Sequence, residues 1–144
     1  MPDSTNSSPT QKILSWLWYW LPPLLLMALI FYVSSQPRLP QAPGPRLDAL
    51  LKKLAHIGEY TLLYLLLVRA FRRNHELEPA MRLSLLVTTI YAISDEVHQA
   101  FVPGRHANWY DVVIDISGGL LLWGLRCSRY WLRRFCTHDH YVPE

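Results

Sequence analysis

Charged side chains are scarce in this chain of 144 residues. Asp, Glu, Lys and Arg together make up 17% of it, below the ~25% usual in soluble domains. None of the four occurs anywhere between residues 13 and 37, and that stretch exceeds the ~20 residues needed to cross a bilayer as a helix. Cysteine is almost absent: Cys127 and Cys136 both follow the last apolar stretch. A lone pair without C-x-x-C spacing carries neither a zinc nor a redox signature, so both are read as reduced thiols. RNP, zinc-finger and helix-turn-helix spacings are missing too, so the net charge of +3 does not point to nucleic acid. There is no H-E-x-x-H, no phosphate-cradling glycine loop, and no triad context for Ser34 or Ser35 as a nucleophile. Apolar residues are plentiful at 51%, with six Trp, eight Tyr and four Phe, a composition that excludes disorder. The mean hydropathy of only +0.07 hides this, because the charges are clustered.

The clustering predicts an all-α, integral membrane four-helix bundle. Residues 1–12, rich in Ser, Thr, Asn and Pro, form a flexible N-terminal segment; residues 13–125 form a four-span membrane domain; residues 126–144 form a basic amphipathic tail. The first span covers 13–33, with Trp16, Trp18, Tyr19 and Trp20 as interfacial anchors. Its apolar core is longer than the ~7–15 residues of a signal-peptide h-region, and Pro22 and Pro23 should kink it. Four prolines and Gly44 make 37–51 a loop. The later spans have short charge-free portions, 54–68, 83–93 and 112–125. Each reaches spanning length only by carrying polar residues with it: Lys53, His56 and Glu59; Ser94 to Gln99; Asp111 and Asp115. With four crossings, nine Lys and Arg fall on one side and five on the other. The positive-inside bias then places both termini in the cytoplasm, in a multi-pass cytoplasmic (inner) membrane protein whose polar helix ends face outward. Residues 126–135, where Arg alternates with Tyr130, Trp131 and Phe135, suit either an interfacial helix or a solvated tail.

Helical spacing decides which of these polar groups can meet. Lys53, His56 and Tyr60 share a face; Asp95, Glu96 and Gln99 occupy one arc, with His98 at its edge; Asp111 and Asp115 share a face with Gly118 and nearly with Gly119. The short connection through Pro103, Gly104 and Arg105 brings the third and fourth spans together. Glu59, Asp95, Glu96, Asp111 and Asp115 outnumber Lys52, Lys53 and Arg105 by two. Protonated carboxylates, a protonated His56 or His98, or a bound cation would each redress this. His56, Asp95, Glu96 and Asp115 are the candidate ligands of a divalent metal cofactor. Blander readings stand beside these. Asp111 suits a helix start, Glu96 and His98 a wet helix end, Gly118 and Gly119 helix packing, and His138 and His140 a solvated tail.

One long pattern resembles the VanZ-like family: Phe31-Tyr32-Val33-Ser34-Ser35-Gln36-Pro37, Lys53-Leu54-Ala55-His56 with Tyr60, then Ser94-Asp95-Glu96-Val97-His98-Gln99 through Phe101, Pro103, Gly104 and Arg105 to Asp111-Val112, Asp115 and Gly118. The resemblance runs from about residue 31 to 119, and its block from 95 to 111 is the most specific part. At Asp115 an Asn would fit the family pattern as readily, so this chain adds a carboxylate there. The resemblance implies a small multi-helix membrane protein related to one associated with low-level resistance to the glycopeptide teicoplanin, an antibiotic acting on the outer side of the membrane. It implies no reaction.

Two functions follow as expectations. One is an envelope-modifying enzyme, a metal-assisted hydrolase or transferase, with His56, Asp95, Glu96, Asp111 and Asp115 as catalytic groups and Lys53, Tyr60, Gln99 and Arg105 binding substrate. The other is a non-catalytic protein whose same groups bind a lipid or antibiotic. The partners expected are membrane lipids and a lipid-linked envelope precursor or lipoglycopeptide. Proton-coupled transport ranks last, because the cytoplasmic halves offer only Tyr, Thr and Ser.

Overall fold

The computed structural model describes residues 8–37, 41–105 and 108–136, with side chains through 129. The described residues form four helices and no strand: α1 (Pro9–Ser34), α2 (Pro45–Phe71), α3 (Leu77–Ala100) and α4 (Trp109–Cys136). At 24 to 28 residues each, all exceed the ~20 residues that span a hydrocarbon core. By length and apolarity alone, α1 and α2 are able to cross a membrane.

The helix starts follow from local chemistry. α1 opens with a capping box: Gln11 N–H donates to Ser8 Oγ at 3.3 Å, and Ser8 N–H donates to Gln11 Oε1 at 3.1 Å. Pro9 fills the first turn, where its missing N–H costs nothing. The helix thus takes in residues 9–12 of the segment expected to precede it. It also runs through Pro22 and Pro23 without a break. The segment 37–51 is not all loop: α2 begins at Pro45, because proline at a first helical position is pre-set for the helix and Gly44 supplies the turn at φ 88°. The Asp48 carboxylate in that first turn accepts the Ala42 N–H at 2.9 Å. α4 runs on as one helix past residue 125 to Cys136. The expectations for residues 1–7 and 137–144, His138 and His140 among them, lie outside the described residues, as do those for the side chains of Tyr130, Trp131 and Phe135.

Burial is inverted relative to a soluble bundle. Leu14, Leu17, Leu21, Leu24, Leu25 and Leu29 of α1 are exposed, as are Leu86, Ile90, Ile93 and Val97 of α3. Ser34, Ser84, Thr88, Asp95, Glu96, Gln99 and Asp115 are buried. Only 11% of the apolar window of α1 and 28% of that of α2 are buried. The core helix of a soluble protein would be mostly covered, so lipid is the medium this surface suits.

α2 is central and packs against all three other helices, while α1 leans on α2 and α3 only. Ile30, Tyr60, Leu63, Leu67 and Ala92 form the apolar core, flanked by Trp20, Met27 and Tyr91. The glycines of α4 let it approach α2 closely, as the packing reading expects. A Cβ on Gly118 would stand 1.8 Å from Thr61 Oγ1, and one on Gly119 would stand 3.2 Å from Tyr64 Cγ.

Candidate functional site

The polar stripes meet in the half of the bundle where α1 and α3 end and α2 and α4 begin. Asp95 sits at the centre, 3% exposed. Its Oδ2 accepts three side-chain donors: Ser34 Oγ at 2.9 Å, Tyr60 OH at 3.0 Å and Gln99 Nε2 at 3.0 Å. Gln99 Nε2 also reaches Ser34 Oγ at 3.3 Å. One carboxylate therefore ties α1, α2 and α3 together through neutral donors. Its other oxygen, Oδ1, is buried with no hydrogen-bond partner among the described residues.

In front of this knot lies a cavity of about 450 Å³ between α2, α3 and α4. Seven of the nine residues that the sequence singles out line it: Lys53, His56, Glu96, Gln99, Arg105, Asp111 and Asp115. Asp95 and Tyr60 stand behind it, and Tyr60 is fully buried. The convergence of three polar helix faces is therefore real, with Gln99 as the link from knot to cavity.

Five of the lining residues have a specific neighbour. His56 Nδ1 lies 3.2 Å from Asp115 Oδ1, an ion-pair distance without the alignment of a hydrogen bond. Asp115 is 2% exposed, and the half-buried His56 ring lies nearly parallel to Tyr60, at 12°. The Glu96 carboxylate accepts the Asn108 backbone N–H at the entry to α4. Arg105 donates from Nε to Gln36 O and from Nη2 to Val33 O, both at 3.1 Å, and so fastens the end of α1 to the loop between α3 and α4. Lys53 Nζ lies 5.4 Å from the centre of the Tyr110 ring, a cation–π contact.

The four expected metal ligands are not gathered. His56 and Asp115 meet, but Asp95 is enclosed by its three donors and Glu96 turns to the α4 backbone. Among the described residues no three or more His, Cys, Asp or Glu side chains are arranged to hold a metal ion.

Sequence reasoning missed several groups. Asp48 and Lys52 line the cavity as an ion pair at 2.6 Å, and their i, i+4 spacing in a helix from Pro45 was the available signal. Ser34 completes the Asp95 knot. Ser35 Oγ lies 3.0 Å from His98 Nε2, a pairing no triad pattern announces. Ser35 Oγ donates its single proton to Phe31 O at 2.7 Å. In the contact with His98 the donor and acceptor roles follow the imidazole tautomer.

A family model described as VanZ/LLP1 matches residues 16–130. No curated protein and no solved structure matches the chain.

Proposed function

The chain belongs to the VanZ/LLP1 family, and from that premise we propose that it binds the charged head group of an envelope lipid, or of a lipid-linked envelope component, in the cavity between α2, α3 and α4. The observation that carries this reading is the mixed charge of the cavity wall at the end of a lipid-facing bundle. Lys52, Lys53 and Arg105 stand among Asp48, Glu96, Asp111 and Asp115. A wall of one sign would attract a simple ion. Interleaved signs complement a head group that carries both an anion and hydrogen-bond donors, such as a phosphate beside an amine or hydroxyls.

The cations differ in how far they are committed. Lys52 is paired with Asp48, and Arg105 spends two donors on α1 carbonyls. Lys53 is exposed, and its one contact among the described residues is with an aromatic ring, which makes it the principal anion contact. By the positive-inside bias the cavity faces outward from the cytoplasmic membrane, with all four helices crossing. An effect on glycopeptide susceptibility would follow from occupation of the cavity by a lipid-linked precursor or the drug's own lipid.

One observation favours a catalytic second reading. His56 lines the cavity with Nδ1 3.2 Å from the buried Asp115 carboxylate, which leaves its other nitrogen as the candidate for general acid–base work. Hydrolysis or group transfer on the same head group would then need no metal-ligand cluster.

The test uses the full chain reconstituted in nanodiscs and titrated with lipids that share acyl chains but differ in head group. Lys53→Ala should weaken head-group binding about tenfold, the factor of one lost charged contact. Binding that ignores both Lys53→Ala and His56→Ala would sink the proposal. Product formation abolished by His56→Ala, with binding retained, would establish the catalytic reading.

A further inference from the structure

A second cavity, of about 380 Å³, lies where α2 ends against the first half of α1. Arg69 is 13 residues beyond His56 on α2, roughly 20 Å along the axis, so this cavity belongs to the opposite end of the bundle. Its wall combines Arg69, Arg72 and Arg73 with Tyr19 and with the apolar Leu65 and Val68.

Arg69 and Arg73 are held in place by features of α1. Pro22 removes the N–H that would otherwise bond to the Trp18 carbonyl, and Arg69 Nη2 donates to that carbonyl at 3.4 Å. The Arg69 guanidinium lies 5.1 Å from the Tyr19 ring centre, and that of Arg73 lies 5.6 Å from the same centre. Two cations thus share one ring, although like charges repel. Among the described residues the side-chain ion pairs are Lys52 with Asp48, His56 with Asp115 and Arg82 with Glu78, and none of these involves the three arginines. Guanidinium groups in a fixed fork are the side chains best matched to phosphate oxygens. Leu65, 47% exposed, and Val68 continue the wall toward the apolar belt of the bundle, where an acyl chain would lie.

We propose that this groove binds the phosphate of an anionic phospholipid, with the acyl chain along Leu65 and Val68, at a site separate from the head-group cavity. A free phosphate would use the guanidinium groups and leave the apolar wall unused. General attraction of basic residues to anionic lipid would depend on charge rather than on these positions.

The full chain in non-ionic detergent, titrated by native mass spectrometry with phosphatidylglycerol, phosphatidylcholine of the same chains, and inorganic phosphate, separates these cases. Phosphatidylglycerol should be retained about tenfold more tightly than phosphatidylcholine, and Arg69→Ala or Arg73→Ala should each remove about that factor, one charged contact. Arg82→Ala, an equal loss of charge at an arginine already paired with Glu78, should leave retention unchanged. Equal losses from Arg82→Ala would overturn the site in favour of a diffuse field. Displacement of the lipid by millimolar inorganic phosphate would overturn it in favour of a free-anion site. If Arg69→Ala does not fold, Arg72→Ala decides the matter by the same readouts, since that side chain is exposed.

Discussion

Replacing Tyr60 by Phe isolates one bond in the knot that joins three helices. The ring is fully buried in the core, and Phe preserves its shape, so only the hydroxyl donation to Asp95 Oδ2 at 3.0 Å is lost. A hydrogen bond to a charged acceptor contributes roughly 1.5–3 kcal/mol in soluble proteins, whereas interhelical bonds in bilayers average ~0.6 and reach ~1.7 kcal/mol. Tyr60 lies in the middle of α2, inside the bundle, so the interhelical range applies and the expected loss is about 0.6–1.7 kcal/mol, a fall of a few degrees in thermal unfolding in detergent. The shared acceptor sharpens the prediction. Ser34, Tyr60 and Gln99 all donate to one oxygen that carries two lone pairs, so the first deletion should strengthen the bonds that remain. Tyr60→Phe combined with Ser34→Ala should therefore cost at least ~0.5 kcal/mol more than the two single losses added. Tyr91→Phe is the control: its hydroxyl donates to the Met27 carbonyl, apart from Asp95, and its loss should add independently to that of Ser34→Ala. Strict additivity for the Tyr60 and Ser34 pair, or an undiminished melting temperature in Tyr60→Phe, would refute the account of Asp95 as the common acceptor.

Three further outcomes can be checked on the same preparation. Gly118→Ala should destabilise by about 1–3 kcal/mol, because the new Cβ meets Thr61 Cβ at 3.0 Å as well as the hydroxyl; Thr61→Ala in the same chain should restore part of the loss in a thermal melt. Arg105→Ala should lower the melting temperature more than Lys53→Ala does, since it frees two carbonyls at the end of α1, while Lys53→Ala should weaken head-group binding more; the reverse ranking would exchange their assigned roles. Glu96→Gln, which retains an acceptor for the Asn108 N–H, should unfold within a degree or so of the parent, whereas Glu96→Ala should lose about 1–3 kcal/mol through the unpaired donor.

The parts of this architecture legible in the sequence are those set by periodicity. Four helices follow from apolar runs, and the faces of α2, α3 and α4 follow from spacings of three and four. The start of α2 was obscured because Pro37, Pro40, Pro43 and Pro45 look alike as helix breakers, yet only the last stands just after Gly44, where proline begins a helix instead of ending one. Partner choice was less legible than position. Arg105 lines the cavity as its place in the loop suggests, but its donors reach the carbonyls of Val33 and Gln36, and backbone acceptors leave no trace in residue identity. Tyr60 shares a face with His56 and was expected to meet substrate; a difference of one helical turn instead puts it behind the cavity wall. A carboxylate on the right face can coordinate, titrate or accept hydrogen bonds, and only the third dimension tells which.

The excess of acidic groups shows why that matters. From charge alone, five carboxylates against three cations required protonation, a charged histidine or a bound cation. The structure shows further contacts to these carboxylates, some from dipoles with no formal charge. Asp95 is met by a serine, a tyrosine and an amide, and Glu96 by a backbone N–H. Asp115 faces His56, and the further carboxylate of Asp48 takes Lys52 and the Ala42 N–H. These contacts occupy Asp95, Glu96 and Asp115 without engaging Lys53 or Arg105. Among the described residues Lys53 contacts a ring instead of a carboxylate, and under the proposed head-group reading it is the cation at which an incoming anion would gain most.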